Sequence, residues 1–206
     1  FPVARTMQVA QQLYENGFIT YMRTDSVNLS DLALSMAKEE ITKLYGRKYL
    51  KTRKYHTKTK GAQEAHEAIR PTYMANTTIS GDPSQRRLYE LIWKRTIASQ
   101  MSDAELEKTN ISIDISTRNE KFTATGEVVL FDGFLKLYME STDEEQDEQT
   151  ENVLPPLSQG MQLAMNKCEA TKRFTQHPAR YTEASLVKKM EDLGIGRPST
   201  YASIIS

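Results

Sequence analysis

A tyrosine and an arginine stand two positions apart in the stretch GFITYMRTDS, which covers residues 17–26. A guanidinium stabilises a neighbouring phenolate and holds phosphate oxygens with its planar fork. Tyr21 and Arg23 are therefore candidates for the nucleophile and the phosphate ligand in an attack on a phosphodiester. A strand end followed by a turn, with Tyr21 packed in the core, explains the same residues. The stretch by itself leaves both interpretations open.

A histidine and a second arginine lie in the stretch QEAHEAIRP, residues 63–71. Pro71 ends a helix at or before Arg70, and residues four apart share a helix face. The spacing therefore predicts a short helix that presents His66 and Arg70 together. A single histidine is usually a surface or core residue, but beside an arginine and a tyrosine it becomes a candidate ligand for phosphate.

A third polar cluster lies near residue 200. Thr182 predicts the cap of one helix and Ser199 the cap of another, with the turn Gly196-Arg197-Pro198 between them. This outline is that of a helix-turn-helix, and free amides at the start of the second helix favour an anion such as a DNA phosphate. Ordinary capping of a packed helix pair predicts the same pattern. The polar side chains at this helix start belong to Arg197, Ser199, Thr200 and Tyr201.

Hydrophobic spacing predicts mainly helices in the first half of the chain and strands after it. The predicted helices cover residues 4–16, 31–45, 83–101 and 183–193. The predicted strands cover residues 18–22, 109–116, 121–130, 134–138 and 161–174. The change of period predicts an α+β, multidomain fold. We expect a mainly helical domain with the tyrosine over residues 1–105, an antiparallel β-rich segment over 106–178, and part of a helical domain over 179–206.

The chain has 206 residues and no net charge, but its charges are unevenly distributed. Residues 1–105 hold 16 Lys and Arg against 11 Asp and Glu, whereas residues 106–178 hold 7 against 13. An acidic middle repels a polyanion, so any surface for nucleic acid is expected on the end segments. No apolar run is long enough to cross a membrane, and the single cysteine, Cys168, excludes an intrachain disulfide and a cysteine-rich zinc site.

Two charged runs carry further predictions. The basic run over residues 48–60 is interleaved with Tyr49 and Tyr55, which favours either a DNA backbone contact with stacking tyrosines or an exposed loop. The run over residues 140–151 has seven acidic residues and no basic one. It lacks the glycine and the ligand spacing of a calcium loop, so we interpret it as a solvated loop and not as a metal site.

Three stretches together resemble signature segments of bacterial DNA topoisomerase I, the type IA family. They are ITYMRTDS (residues 19–26), AHEAIRPT (residues 65–72) and YTEASLVKKMEDLGIGRPSTYASII (residues 181–205). Their order and separation also match, and the resemblance covers essentially the whole chain, most loosely in the β-rich middle and the acidic run. It implies that the β-rich segment forms an arch or hinge, and it leaves topoisomerase I and reverse gyrase undistinguished.

The resemblance implies a role for each motif. Tyr21 attacks a phosphodiester of single-stranded DNA and becomes linked to the 5′ phosphate, and Arg23 steadies that phosphate. His66 contacts a DNA phosphate near the cleavage site, and the segment from Arg197 to Thr200 lies near the path of the single strand. Tyr21 should be partly exposed. The residues expected to contact DNA are Thr24, Asp25, His66, Arg70, Arg197, Ser199, Thr200 and Tyr201.

The resemblance also implies relaxation of negatively supercoiled DNA without ATP, in the bacterial cytoplasm at the nucleoid. The family binds Mg²⁺ through an acidic cluster and a lysine in an N-terminal domain, and no part of this sequence resembles that cluster. We therefore expect a central fragment without metal ligands, which needs the missing N-terminal domain as a partner and is inactive alone. Single-stranded and negatively supercoiled DNA are the other expected partners, and no membrane is expected. The alternative is a non-catalytic module that binds single-stranded DNA, in which Tyr21 only packs.

Overall fold

The computed structural model describes residues 1–55, 67–139, 154–155, 157–172, 174–175 and 177–205. The chain divides into two compact units. The first unit comprises Phe1–Asp103, Asp132–Ser141 and Tyr181–Ser206, and the second comprises Ala104–Phe131 and Thr142–Arg180. Helices and a small antiparallel sheet are both present, as expected for an α+β chain, while the division into three domains stays a prediction.

Helices dominate the first unit. Its α-helices are α1 (Val3–Glu15), α2 (Asp31–Tyr45), α3 (Pro83–Ser99), α4 (Glu183–Asp192) and α5 (Tyr201–Ile205), and two 3₁₀ turns cover Arg47–Tyr49 and Gly133–Lys136. The core forms where α1 packs on α3, through buried side chains that recur at helical spacing. These side chains include Val9, Ala10 and Leu13 of α1 and Leu88, Tyr89, Trp93 and Ile97 of α3. Each large side chain buried in this way contributes about 1.5–3 kcal/mol, so the α1–α3 contact provides the rigid base of the unit.

Polar caps start three of these helices where the sequence predicts them. The hydroxyl of Ser30 accepts a hydrogen bond from a first-turn amide of α2 at 3.3 Å. Asp82 and Gln85 form a reciprocal capping box at α3, and Thr182 and Ser185 form another at α4. Each cap satisfies amides that have no partner within the helix, which stabilises a helix by about 1 kcal/mol.

The second unit contains a two-stranded antiparallel ribbon. Strand β1 (Glu105–Asp114) pairs with β2 (Lys121–Phe131). The pairing begins next to the turn, at Asp114 and Lys121, and has one irregularity at the start of β1. Both strands are confirmed, although β1 begins earlier than residue 109. Large apolar side chains of the ribbon are exposed, namely Leu106, Phe122, Val128, Val129 and Leu130. A two-stranded ribbon is only marginally stable in water, and the described residues of this unit do not supply the packing that would stabilise it.

The helix predicted over residues 63–71 is wrong where the structure describes it, from Glu67 onward. That part is not helical, and it pairs with an earlier part of the chain through one antiparallel bridge between Ile19 and Pro71. Pairing between two irregular segments satisfies their backbone groups and overrides the helical spacing. The strand predicted over residues 18–22 does not form, and the only strand-like contact of this segment is the bridge at Ile19.

Two predicted strands in the second half of the chain are also wrong. Residues 134–138 fall largely in the 3₁₀ turn Gly133–Lys136 of the first unit. Gly133 has a φ of +49°, and a Cβ there would lie 2.3 Å from the carbonyl oxygen of Asp103. This close approach of two backbone segments turns the chain, so the local alternation of side chains does not form a strand. The described part of residues 161–174 contains no strand either.

Candidate active site

The tyrosine lies at the start of a loop whose two ends are fixed to the same segment. We call residues 21–27 the tyrosine loop and residues 67–72 the anchor segment. Ahead of the loop, the amide of Thr20 donates to the carbonyl of Arg70 at 2.9 Å, and the amide of Arg70 donates to Thr20 Oγ1 at 2.9 Å. These two bonds fix the backbone of Thr20, the residue immediately before Tyr21, to the anchor segment.

The other end of the tyrosine loop meets the first residues of the anchor segment. The amide of Ala68 donates to the carbonyl of Asn28 at 2.8 Å. The amide and the hydroxyl of Ser30 donate to Glu67 Oε1 at 2.8 and 2.7 Å. Ser30 therefore has two roles, since the same hydroxyl also caps α2.

A buried arginine–glutamate pair connects the two ends of the loop. Arg70 donates from Nε to Glu67 Oε1 at 2.8 Å and from Nη2 to Glu67 Oε2 at 2.9 Å. Its Nη1 donates to the carbonyls of Pro71 and Thr72 at 2.8 and 3.3 Å. With four hydrogen bonds inside the fold and a side chain 10% exposed, Arg70 is a structural brace. The geometry does not favour the predicted DNA contact of this arginine.

Glu67 is the charged centre of this arrangement. Burial is the largest influence and raises its pKa, but the hydrogen bonds from Arg70 and Ser30 and the charge of Arg70 together hold the pKa below its ordinary value. The carboxylate is consequently ionised at neutral pH. Its negative charge is compensated by the guanidinium of Arg70, which reduces its repulsion of a nearby phosphate.

Tyr21 is accessible from solvent, as the sequence predicts. Its side chain is 39% exposed, and its ring meets the edge of the Tyr14 ring with centroids 5.3 Å apart. Tyr14, Thr20, Tyr21 and Glu67 line a pocket of about 430 Å³. The phenol therefore lies beside an open space in which a backbone phosphate could be accommodated.

The side chains that follow Tyr21 alternate between the core and the solvent. Met22 is buried, whereas Tyr21 and Arg23 are exposed. Arg23 makes no hydrogen bond or ion pair with any other residue that the structure describes. Thr24 has an internal role, because its Oγ1 accepts from the amide of Ser26 at 3.0 Å and closes a turn.

An ion pair joins the tyrosine loop to the last part of the chain. Arg197 Nη1 lies 3.2 Å from Asp25 Oδ2, with half of the Arg197 side chain exposed. The amide of Val3 also donates to Glu183 Oε2 at 2.6 Å, which ties the start of α4 to the start of α1. These contacts bring Arg197, predicted from the third motif, next to the loop of the first motif.

The polar cluster around residue 200 forms a turn before α5. The predicted cap at Ser199 is wrong, because α5 begins at Tyr201. The amides of Thr200 and Tyr201 both donate to the carbonyl of Arg197, at 2.8 and 3.0 Å, and Thr200 Oγ1 accepts from the amide of Arg197 at 2.9 Å. Those two amides are therefore occupied within the turn and are not free for an anion. The DNA contacts of Ser199, Thr200 and Tyr201 stay predictions.

The tyrosines of the basic run make hydrogen bonds within the fold. Tyr49 is buried, and its hydroxyl donates to Asp132 Oδ1 at 2.7 Å and accepts from Lys136 Nζ at 3.2 Å. The hydrogen bond from Tyr49 is the main reason why the pKa of Asp132 is lowered. The hydroxyl of Tyr55 donates to the carbonyl of Ser99 at 3.0 Å. Tyr49 therefore packs the fold, which does not favour the stacking interpretation for this residue, while the ring of Tyr55 is exposed.

Some predicted features cannot be located in this way. His66, the remaining candidate phosphate ligand, lies outside the described residues, as does the acidic run over residues 140–151. Across the described ranges, no group of three His, Cys, Asp or Glu side chains is arranged to hold a metal ion. For this part of the chain, the absence of metal ligands stays a prediction. None of its helices is both long and apolar enough to cross a bilayer.

Comparison with known proteins identifies the family. The sequence profile of a DNA topoisomerase family matches residues 1–206. The chain belongs to this family of bacterial topoisomerases. DNA topoisomerase 1 of Zymomonas mobilis is 50% identical over 212 residues, which cover 100% of the chain and 17% of that protein. DNA topoisomerase 1 of Streptomyces coelicolor is 50% identical over 217 residues, which cover 100% of the chain and 23% of that protein.

A solved topoisomerase has the same fold. The structure of full-length topoisomerase I from Thermotoga maritima matches with a TM-score of 0.72 and 37% identity, over 100% of this chain and 34% of that one. The resemblance drawn from the three motifs is thereby confirmed. The chain spans about a fifth of the length of its sequence relatives and about a third of this structure.

The topoisomerase chain also contains site residues that the sequence reasoning missed. Thr20 and Glu67 hold the tyrosine loop through contacts between positions 37 to 50 apart in sequence. Ser30 was predicted only as a cap, and its second partner could not be deduced from local spacing. The one available signal was the spacing of Glu67 and Arg70 at i and i+3, whereas the helical interpretation paired Arg70 with His66.

Proposed function

We propose that this chain carries the catalytic tyrosine of a type IA DNA topoisomerase and that Tyr21 cleaves one DNA strand. The observation that supports this is the position of Tyr21, which is partly exposed beside a pocket on a loop with both ends fixed. A nucleophile needs both access to its target and a defined place. Arg23 is exposed two residues further along the loop and is available for the phosphate oxygens.

The proposed reaction is a transfer of one phosphodiester linkage. The phenol oxygen of Tyr21 attacks phosphorus, the bond from phosphorus to the 3′ oxygen breaks, and the phosphate stays attached at the 5′ side. The phenol proton is lost, and the departing 3′ oxygen ends as a hydroxyl. Arg23 compensates charge on the non-bridging oxygens. The reverse attack by the 3′ hydroxyl restores the DNA, so no ATP is needed and negative supercoils are relaxed by strand passage.

The remaining DNA contacts are proposed with different roles. His66 precedes the anchor segment in sequence and is proposed to contact a phosphate near the cleaved bond. Arg197, held by Asp25, is proposed to contact the single strand beside the tyrosine loop, together with Ser199, Thr200 and Tyr201. Thr24 shapes the loop, and Arg70 braces it from inside.

The metal is proposed to bind elsewhere in the complete enzyme. The family resemblance implies that the ligands come from a separate domain of the same protein, and the described residues contain no group of three His, Cys, Asp or Glu side chains that could hold a metal. When bound, Mg²⁺ would compensate phosphate charge during cleavage and rejoining. The proposed substrates are single-stranded and negatively supercoiled DNA of the bacterial cytoplasm.

A chimera tests the role of Tyr21. Residues 1–206 replace the matching part of Thermotoga maritima topoisomerase I, and the protein is incubated with Mg²⁺ and an oligonucleotide labelled at either end. A 5′-phosphotyrosine link predicts that the 3′ label migrates with the protein on a denaturing gel. The 5′ label should be released on a shorter strand with a free 3′ hydroxyl.

Tyr21→Phe and Tyr14→Phe form a matched pair of variants, because each removes one hydroxyl from the two rings in contact. Tyr21→Phe should abolish the adduct, and Tyr14→Phe should retain it. An adduct that persists in Tyr21→Phe would overturn the proposal.

A non-catalytic module remains the second candidate, because the pair of exposed rings at Tyr14 and Tyr21 is suited to stacking on bases. Retained binding of single strands with no adduct in the chimera would support it. The 206-residue chain alone should not relax plasmid with Mg²⁺. Relaxation that survives repurification but disappears in Tyr21→Phe would contradict that part of the proposal.

A further inference from the structure

We propose that Glu67 is a positioning residue for Tyr21: its carboxylate joins the two ends of the tyrosine loop through Arg70 and Ser30 and so fixes where the phenol meets DNA. This inference rests on the proposed function of Tyr21. It gives Glu67 a role in the reaction without any contact between its side chain and the DNA.

One carboxylate accepts four hydrogen bonds in this arrangement. Oε1 accepts from Arg70 Nε and from the amide and hydroxyl of Ser30, and Oε2 accepts from Arg70 Nη2, all between 2.7 and 2.9 Å. Charge-assisted hydrogen bonds of this length are about twice as strong as neutral ones, and the guanidinium fork fixes direction as well as distance. The carboxylate therefore restrains both of its partners in orientation.

Each partner of Glu67 holds one end of the tyrosine loop. The backbone of Arg70 exchanges hydrogen bonds with Thr20, the residue immediately before Tyr21. On the other side, Ser30 lies two residues after Asn28, whose carbonyl accepts from the anchor segment. Loss of the carboxylate would remove the side-chain connection between the two ends of the loop and loosen their relative position, although the backbone bonds at each end remain.

The position of Glu67 argues against a direct role on the substrate. Its side chain is 25% exposed and lines the same pocket as Tyr21, but a carboxylate repels a phosphate. Oε1 already accepts three hydrogen bonds and Oε2 accepts one, so the carboxylate is held by Arg70 and Ser30. Glu67 therefore acts through the loop, and its loss should change the rate of cleavage more than the binding of DNA.

The first measurement uses the 206-residue chain itself. 3-Fluorotyrosine is placed at position 21, and its fluorine resonance is compared between the parent chain, Glu67→Gln and Glu90→Gln. Glu90 is the matched control, because it loses the same charge from a carboxylate–lysine pair on α3. We expect a shifted or broadened resonance in Glu67→Gln and the parent resonance in Glu90→Gln.

The second measurement uses the chimera with the Thermotoga maritima protein. In single-turnover cleavage of an oligonucleotide, Glu67→Gln should lower the maximal rate about tenfold, because a small misplacement of a nucleophile reduces its effective concentration. The oligonucleotide concentration that gives half of the maximal rate should change less than about twofold, since uniform binding is retained. Arg70→Lys, which keeps the charge but loses the fork, should lower the rate in the same direction and serves if Glu67→Gln does not fold.

The outcomes separate this inference from the proposed function. If Tyr21→Phe still forms the adduct, the proposed function fails, and the fluorine resonance still decides whether Glu67 positions the ring. If Tyr21→Phe abolishes the adduct while Glu67→Gln and Arg70→Lys keep the parent rate, the role of Glu67 is wrong. A loss confined to DNA affinity, with an unchanged fluorine resonance, would make Glu67 a determinant of binding and would also overturn the inference.

Discussion

Two arginine–carboxylate pairs flank the tyrosine loop, and they differ in almost everything except their chemistry. Glu67 and Arg70 form a two-pronged contact with side chains 25% and 10% exposed, and both make further hydrogen bonds. Asp25 and Arg197 share one contact at 3.2 Å, with side chains 17% and 50% exposed. The first pair connects the two ends of the loop, and the second connects the loop to residues from another part of the chain.

The difference shows how burial decides what an ion pair does. Removing one partner of a buried pair leaves an uncompensated charge away from water, which is strongly destabilising. A single contact to a half-exposed arginine contributes little, and water or another anion readily takes its place on the arginine. We therefore interpret Glu67 and Arg70 as fixed architecture. In contrast, Arg197 can exchange Asp25 for a DNA phosphate at little cost in stability.

The largest expected effect is that of Arg70→Ala. It leaves Glu67 half-buried with its charge unmatched and removes donors to two carbonyls, so the first unit should lose about 3 kcal/mol of unfolding free energy. Urea unfolding followed by the fluorescence of Trp93, the only tryptophan and a buried residue of the same unit, measures this loss.

Arg86→Ala is the matched control for Arg70→Ala, because it removes an exposed arginine at the start of α3. Its effect should stay within about 0.5 kcal/mol. A loss below about 1 kcal/mol for Arg70→Ala would contradict the distinction between the two pairs.

The next effect is that of Ser30→Ala, which removes both the cap of α2 and one donor to Glu67. The cap alone contributes about 1 kcal/mol, and a hydrogen bond to a charged group contributes about 1.5–3 kcal/mol in a buried setting. Asp82→Ala removes a cap without any link to the tyrosine loop. Ser30→Ala should therefore destabilise the unit more than Asp82→Ala in the same urea measurement, and equal losses would mean that the bond to Glu67 adds nothing.

Local sequence patterns predicted the parts of this molecule that depend on neighbouring residues. The caps at Ser30, Asp82 and Thr182 follow from residue type and from the periodic run after each of them. The partial exposure of Tyr21 agrees with the prediction, whereas the roles of Tyr21 and Arg23 stay predictions. For the caps, the cause of the structure lies within a few positions.

The anchor segment could not be predicted in this way, because its conformation is set by a partner 50 positions away in sequence. Glu67 and Arg70 have the spacing of a helical pair, yet their backbone pairs with the chain at Thr20. Likewise, Gly133 turns the chain because the Asp103 carbonyl approaches it closely, which no alternation of side chains around residue 134 reveals. Long-range backbone contacts thus account for the main errors in both the fold and the site.

A smaller effect is expected from pH. The pKa of Glu67 is lower in the folded chain than its ordinary value of 4.5, chiefly through Arg70 and Ser30 acting against burial. The unfolded chain therefore takes up this proton first as pH falls, so the stabilisation is complete above about pH 4.5 and is lost as pH falls through the folded pKa. Between neutral and acidic pH, the parent chain should lose more unfolding free energy than Glu67→Gln, whose side chain cannot titrate.

Other carboxylates of the first unit also titrate in this pH range. The effect of Glu67 is therefore measured as the difference in unfolding free energy between the parent chain and Glu67→Gln at each pH. Asp31 and Asp103 have lowered pKa values because of hydrogen bonds from Lys54 and Lys51, respectively. Their contributions are the same in the parent chain and in Glu67→Gln and cancel in the difference. Parallel curves of unfolding free energy against pH for the two chains would show that the charge of Glu67 has no net effect on stability.

The smallest effect is expected from the exposed pair. A double-mutant cycle with Asp25→Asn and Arg197→Gln should give a coupling energy below about 0.5 kcal/mol in urea unfolding followed by far-UV circular dichroism. The coupling should disappear when salt is raised from about 0.1 M to about 1 M, because the screening length falls from about 10 Å to about 3 Å. A coupling above about 1 kcal/mol that persists at high salt would place this pair in the same class as Glu67 and Arg70. Arg197 would then be held too firmly to exchange Asp25 for a phosphate, and its proposed contact with DNA would lose its physical basis.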